Sequence, residues 1–140
     1  LYMDDPTTNR LRAEVKKAYY LSERYDVMST FALLYYEGDI TFEVLGSFIR
    51  VSDNFLRIDA NHFFIVYTYT EQQNAFKASQ NLLVNLDKYF NNITSCVALD
   101  IFDTSLHYTA VFKRLTQILN ETKKNPYSRI EDENILNGLI

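Results

Sequence analysis

The chain has 140 residues, of which 47% are hydrophobic and 15% aromatic, enough to build one domain with a real core. Its formal net charge of −4 and its pI of about 5.1 argue against nucleic acid or an anionic membrane surface as a partner. No apolar run approaches the roughly 18 residues of a membrane-spanning helix. The single cysteine, Cys96, fits a reducing compartment. We therefore expect a cytoplasmic piece, free or part of a larger membrane-associated protein.

Hydrophobic periodicity, capping residues and turn residues predict alternating helices and strands along the chain. The predicted elements are a helix from Asp5 to Arg24, a strand from Val27 to Tyr36, a short helix from Ile40 to about Arg50, a hairpin of strands 54–58 and 63–70, a helix from Glu71 to Phe90, a strand from Thr94 to Phe102 and a helix from Leu106 to Leu119. The residues from Lys123 onward, with Asn125 and Pro126, are polar. We therefore expect a domain over residues 1–122 and a polar C-terminal tail over residues 123–140.

The order helix, β, α, β-hairpin, α, β, α predicts an α+β fold. It is typical of the ferredoxin-like split βαβ sandwich, in which an antiparallel-rich central sheet is flanked by helices. We expect these helices to pack on one face of the sheet.

Charged and polar residues at fixed spacing surround the predicted hairpin. Arg50 and Asp53 form an Arg-x-x-Asp pair just before its first strand, and Asp59-Ala-Asn-His62 falls at the tight turn between its strands. An arginine fork and a carboxylate can together bind a phosphate or the edge of a guanine base. The segment therefore predicts a ligand-holding hairpin.

Four segments of the chain resemble the GGDEF domains, whose active members condense two GTP molecules into cyclic di-GMP. The segment from Asp5 to Arg10 resembles the opening motif of the family, and the one from Phe31 to Tyr36 its first core strand. The segment from Arg57 to Phe63 falls on the signature Arg-Tyr-Gly-Gly-Asp-Glu-Phe, and the one from Thr94 to Ala98 resembles the strand after the long helix. Their joint order and spacing carry the resemblance.

The resemblance implies that catalysis has been lost. Active members hold two divalent metal ions with an aspartate at the end of the first strand and an acid in the signature turn, because carboxylate oxygens suit hard cations. Here those positions are Tyr35 and Asn61, and His62 follows in the same turn. The two signature glycines are replaced by Asp59 and Ala60, so a negative side chain faces the place of the triphosphate. We expect no diguanylate cyclase activity, no metal and no cofactor.

The Arg50 and Asp53 pair is an exception to this loss of the family's functional residues. In many GGDEF domains such a pair forms an inhibitory site for cyclic di-GMP, and the spacing from Asp53 to Asp59 matches the family. Arg57 on the hairpin and Lys77 on the long helix are weaker candidates for the same site. The resemblance implies a cyclic di-GMP receptor that regulates a partner domain or protein, as in the control of exopolysaccharide secretion and biofilms.

Alternatives stand beside this interpretation. Arg50 can simply favour the negative end of the preceding helix, while Asp53 caps the following turn. The chain would then be a ligand-free protein-interaction or dimerisation module with the same fold. A transition-metal site of His62 with Asp59 and Asn61 is disfavoured, because residues so close in sequence cannot all face one ion.

Overall fold

The computed structural model describes residues 3–139 of the chain. The helices are α1 (Asp5–Tyr25), α2 (Phe42–Ser47), α3 (Gln72–Phe90) and α4 (Tyr108–Lys124), and a 3₁₀ helix covers Glu133–Leu139. The strands are β1 (Thr30–Tyr35), β2 (Asn54–Asp59), β3 (His62–Tyr67), β4 (Cys96–Asp100) and β5 (Ile130–Glu131). No helix in this described part is both long and apolar enough to cross a lipid bilayer.

Local capping explains where the first helix begins and ends. Asp4 accepts a hydrogen bond from the backbone N–H of Thr7 at 2.8 Å, and Pro6 in the first turn has no N–H to satisfy. The helix ends at Asp26, which takes a left-handed conformation with φ of 53° and donates its N–H to the carbonyl of Ser22. The chain can thus turn sharply into β1.

The strands form one five-stranded sheet in the order β2-β3-β1-β4-β5. The pairs β2 with β3, β3 with β1 and β1 with β4 are antiparallel, and β5 runs parallel to β4. The register of β2 on β3 shifts between Arg57 and Asp59, which marks an irregularity of the β-bulge kind. The predicted α+β fold, with an antiparallel-rich sheet flanked by helices, is confirmed.

Helices cover both faces of the sheet, so the prediction that they pack on one face is wrong. On one face α1 and α4 cover Phe31, Leu33 and Phe64, and on the other α2 and α3 cover Leu34 and Phe63. The physical reason is that both alternating sets of side chains are apolar in β1 and β3, and an apolar face exposed to water would be unfavourable.

The segment predicted as a polar tail packs against the domain. Arg129 accepts a backbone hydrogen bond from Val97 at 2.8 Å, and the next residue, Ile130, is only 6% exposed. The guanidinium of Arg129 binds both carboxylate oxygens of Asp87, at 2.6 and 2.9 Å, and so fastens the segment to α3. The segment with polar composition therefore contains β5, a strand at the edge of the sheet.

Candidate functional site

The turn between β2 and β3 is closed by its own side chains. The carboxylate of Asp59 accepts a hydrogen bond from the backbone N–H of Asn61 and contacts Nδ1 of His62, both at 2.8 Å. Asn61 donates from its side-chain amide to the carbonyl of Tyr36 at 3.0 Å, and its own carbonyl accepts from the N–H of Tyr36 at 3.0 Å. Asn61, which the resemblance aligns with the signature acid, is therefore a neutral amide engaged with the backbone.

Tyr35 at the end of β1 is also engaged. Its hydroxyl donates to the carboxylate of Glu37 at 2.7 Å, and Nζ of Lys123 lies 3.9 Å from the centre of its ring. The hydrogen bond to Glu37, together with burial, raises the pKa of Tyr35 to about 12, so the phenol is neutral at physiological pH. Among residues 3–139, no group of three or more histidine, cysteine, aspartate or glutamate side chains could hold a metal ion.

Aromatic side chains fill the space beside this turn. The ring of Phe90 stacks on that of Tyr36, with 5.8 Å between the ring centroids. The same ring lies against Gly38, whose φ of 122° only glycine adopts easily. A Cβ atom at Gly38 would come within 2.8 Å of the Phe90 ring. The cavity left between Gly38, Ala60 and Tyr89 has a volume of about 260 Å³, slightly below the roughly 300 Å³ at which ligand pockets begin.

Arg50 and Asp53 lie together and bind each other. The Nε and Nη2 atoms of Arg50 donate to the two carboxylate oxygens of Asp53, each at 2.8 Å. Asp53 also accepts from the backbone N–H of Thr68 at 2.9 Å, and Arg50 donates to the hydroxyl of Thr70 at 2.6 Å. The pair thus fastens the loop after α2 to the end of β3.

The two members of this pair differ in exposure. The side chain of Asp53 is 1% exposed, whereas that of Arg50 is 54% exposed. Hydrogen bonding to Asp53 raises the pKa of Arg50, which stays charged. Asp53 therefore holds Arg50 in place, and the free edge of the guanidinium faces solvent.

The structure does not gather the weaker candidates around Arg50. Arg57 donates to the hydroxyl of Tyr36 and to the carbonyl of Ile40, each at 2.8 Å, and its guanidinium lies 4.6 Å from the ring centre of Phe63. These contacts give Arg57 a packing role. Lys77 is exposed on α3, where it lines a different cavity.

Sequence reasoning missed the threonines that complete the Arg50 network. Thr68 and Thr70 follow β3 and contact Asp53 and Arg50 from 15 and 20 residues away, and no spacing rule links the two segments. It also missed Lys123, which was placed in the tail but lies over Tyr35. Only the folded chain brings these residues together.

The burial of His62 and the hydrogen bonds to Asp59 predict a loss of stability in acid. Burial lowers the pKa of His62 below its ordinary 6.5, although Asp59 partly opposes this. Below pH 6.5, His62 is therefore protonated more fully in the unfolded chain than in the folded chain. The free energy of unfolding consequently falls as pH falls. For Asp59, burial raises the pKa, but hydrogen bonds from Asn61 and His62 outweigh it and lower the pKa below 3.8, which adds a loss at lower pH.

Urea unfolding measured from pH 8 to pH 5 checks this expectation. In that range the slope of stability against pH should be flatter for His62→Gln than for the wild type. His107→Asn is the matched control, because His107 is exposed at the start of α4 and asparagine preserves capping. If stability falls with pH equally steeply in the wild type and in His62→Gln, the imidazole of His62 is not buried in its neutral form.

The fold matches solved structures, although sequence comparison alone finds nothing. The chain matches no family model, and no curated protein is similar to it at a significant level. It superimposes on diguanylate cyclase SiaD of Pseudomonas aeruginosa, solved with its activator SiaC, with a TM-score of 0.71 at 14% identity. That match covers 93% of this chain and 61% of the SiaD chain, so this chain spans less than two thirds of that protein.

A second structure gives the same result at domain level. The GGDEF domain of DgcB from Caulobacter crescentus, solved in complex with c-di-GMP, matches with a TM-score of 0.65 at 13% identity, and the match covers 87% of each chain. Both neighbours share the sheet and its flanking helices with this chain. The chain therefore has the α+β fold of GGDEF domains.

Proposed function

We propose that this chain is a catalytically inactive GGDEF-like signalling module that acts on a partner domain or protein. The observation that carries the proposal is the self-closed turn, in which Asp59 binds Asn61 and His62 and a neutral amide takes the place of the signature acid. Phosphoryl transfer through two metal ions needs several carboxylates that converge on the ions. Tyr35 supplies none, and the carboxylate of Glu37 already accepts from Tyr35.

The first test is GTP turnover with magnesium or manganese. We expect neither cyclic di-GMP nor pyrophosphate from the wild type under conditions in which an active diguanylate cyclase gives both. Glu37→Gln is the matched variant, because the carboxylate of Glu37 contacts Tyr35 and could ligate an unforeseen metal ion. Any metal-dependent product from the wild type would overturn the proposal, and its loss in Glu37→Gln would assign the metal site to Glu37.

We further propose that the module binds cyclic di-GMP at Arg50. The favouring observation is a half-exposed guanidinium held in a fixed position by a buried carboxylate, which lowers the entropy cost of binding an anion. The complex of DgcB with c-di-GMP supports the same ligand class. In this arrangement the free edge of Arg50 contacts the ligand, and Asp53 is a positioning residue because its side chain is buried.

Calorimetric titration with cyclic di-GMP tests this assignment. We expect saturable binding by the wild type and at least about tenfold weaker binding by Arg50→Lys, which keeps the charge but loses the planar fork. Arg10→Lys, on the exposed surface of α1, is the control. No heat at high micromolar ligand would favour the ligand-free interaction module, and unchanged affinity in Arg50→Lys would show that the ligand binds elsewhere.

A further inference from the structure

An open cavity lies at the end of the sheet opposite the closed turn. In the antiparallel register Tyr35 pairs with His62 near the turn, whereas Thr30 pairs with Tyr67 at the other end of the same two strands. The residues just beyond that other end line a cavity of about 700 Å³. The lining used below consists of Asp26, Met28, Tyr69, Glu71, Ile101 and Asp103. This volume is within the roughly 300 to 1,000 Å³ of ligand sites.

The charge in this cavity has one sign. Asp26, Glu71 and Asp103 line it, and no lysine or arginine is among the lining residues. Arg50 binds Thr70 nearby but is not part of the lining, and its charge is paired with Asp53. Carboxylates gathered in a concave site attract cations more strongly than the same charges on a flat surface.

Two of these carboxylates have no partner in the described chain. Glu71 is the N-cap residue of α3 but makes no capping hydrogen bond through its side chain. Among residues 3–139, none of the ion pairs involves the side chain of Asp26 or of Glu71. The carboxylate of Asp103 accepts from the N–H and hydroxyl of Ser105, which lower its pKa and keep it ionised. Arg114 lies near enough to Asp103 to lower its pKa further, so the unneutralised negative charge of the cavity is that of Asp26 and Glu71.

Apolar side chains sit among these carboxylates. Met28, Tyr69 and Ile101 are 47%, 59% and 53% exposed. Tyr69 has a left-handed backbone with φ of 53°, and its N–H donates to the hydroxyl of Ser29 at 3.3 Å, which helps fix the backbone there. Its exposed ring can stack on a guanidinium. A ligand that suits this lining has both cationic and apolar groups.

We propose that this cavity receives a basic segment of a protein partner, whose arginine or lysine side chains face Asp26, Glu71 and Asp103. The three carboxylates belong to three separate segments of the chain, so several cationic groups satisfy them better than one. Apolar side chains of the same segment cover Met28, Tyr69 and Ile101. This inference rests on the proposed signalling role and specifies that the partner is basic. Its test does not depend on GTP or cyclic di-GMP.

The experiment is a nuclear magnetic resonance titration of the ¹⁵N-labelled chain with a blocked peptide of alternating arginine and leucine. We expect saturable shifts at residues 26–28, 69–71 and 101–104, and weaker binding at higher salt. The double variant Asp26→Asn, Glu71→Gln should bind at least about tenfold more weakly. Asparagine tolerates the left-handed conformation of residue 26, so the fold should survive. Glu23→Gln, an exposed acid of α1 outside the cavity, is the matched control.

Each other outcome overturns the proposal. Absence of saturable shifts would show that the cavity is not a binding site. Equal binding of a peptide with citrulline in place of arginine would show that charge is not recognised. Spermidine binding as tightly as the peptide would assign the cavity to a small polyamine, and unchanged affinity in the double variant would place the peptide elsewhere. These results leave the GTP and cyclic di-GMP tests unaffected, so failure here is distinguishable from failure of the proposed function.

Discussion

Replacing Arg50 with alanine is expected to lower the free energy of unfolding by about 2–4 kcal/mol. The variant leaves the Asp53 carboxylate, 1% exposed, without the fork that binds both of its oxygens. Of its partners, the N–H of Thr68 remains, but a single amide does not replace a cation. Because Arg50 itself is half exposed, the expected cost stays below that of a fully buried ion pair.

Urea unfolding followed by tyrosine fluorescence measures this effect, since the chain has 11 tyrosines and no tryptophan. The double variant Arg50→Ala, Asp53→Asn should be more stable than Arg50→Ala, because a neutral amide still accepts from Thr68 and carries no buried charge. Arg10→Ala, on exposed α1, should change stability by no more than about 0.5 kcal/mol. A double variant no more stable than Arg50→Ala would show that the buried charge is not the cause.

Deleting residues 125–140 is expected to destabilise the domain by at least about 4 kcal/mol. The deletion removes Ile130, which is 6% exposed, and the double contact of Arg129 with Asp87. It also removes the carbonyl that accepts from Val97, and so exposes the outer edge of β4 to water.

Urea unfolding of the truncated chain checks this expectation, and Ile130→Ala should reproduce about 2–4 kcal/mol of the loss by leaving a cavity. Tyr127→Ala is the matched control within the same segment, because Tyr127 is 95% exposed and should contribute little. If the truncated chain unfolds at the same urea concentration as the full chain, residues 125–140 are a tail after all.

Hydrophobic periodicity predicted the long elements well, because a helix or strand with one apolar face must bury that face wherever the chain goes. The helix predicted from Glu71 to Phe90 is α3, Gln72–Phe90, and the predicted hairpin is β2 with β3. Hydrophobic periodicity did not predict β5, which has two residues and follows Asn125-Pro126. So short a strand has no period to recognise, and its stability comes from its partner β4.

The positions of the candidate residues were predictable, but their contacts were not, and their role in binding stays a prediction. The sequence placed Arg50 and Asp53 near each other and a tight turn at residues 59–62, as the structure does. It could not indicate that Asp53 points inward, because this depends on Thr68, fifteen residues later. Burial of a charged residue is decided by distant partners, which local spacing does not report.

The shifted register between Arg57 and Asp59 lies on β2, the strand at one edge of the sheet. In the described chain no strand pairs with its outer side, so its free N–H and carbonyl groups could recruit a strand from another molecule. A bulge twists such an edge and interrupts the regular row of donors and acceptors that an incoming strand needs. The irregularity therefore limits the regular part of this edge to residues 54–57, and we expect a substitution that made all of β2 regular to reduce solubility before it reduces stability.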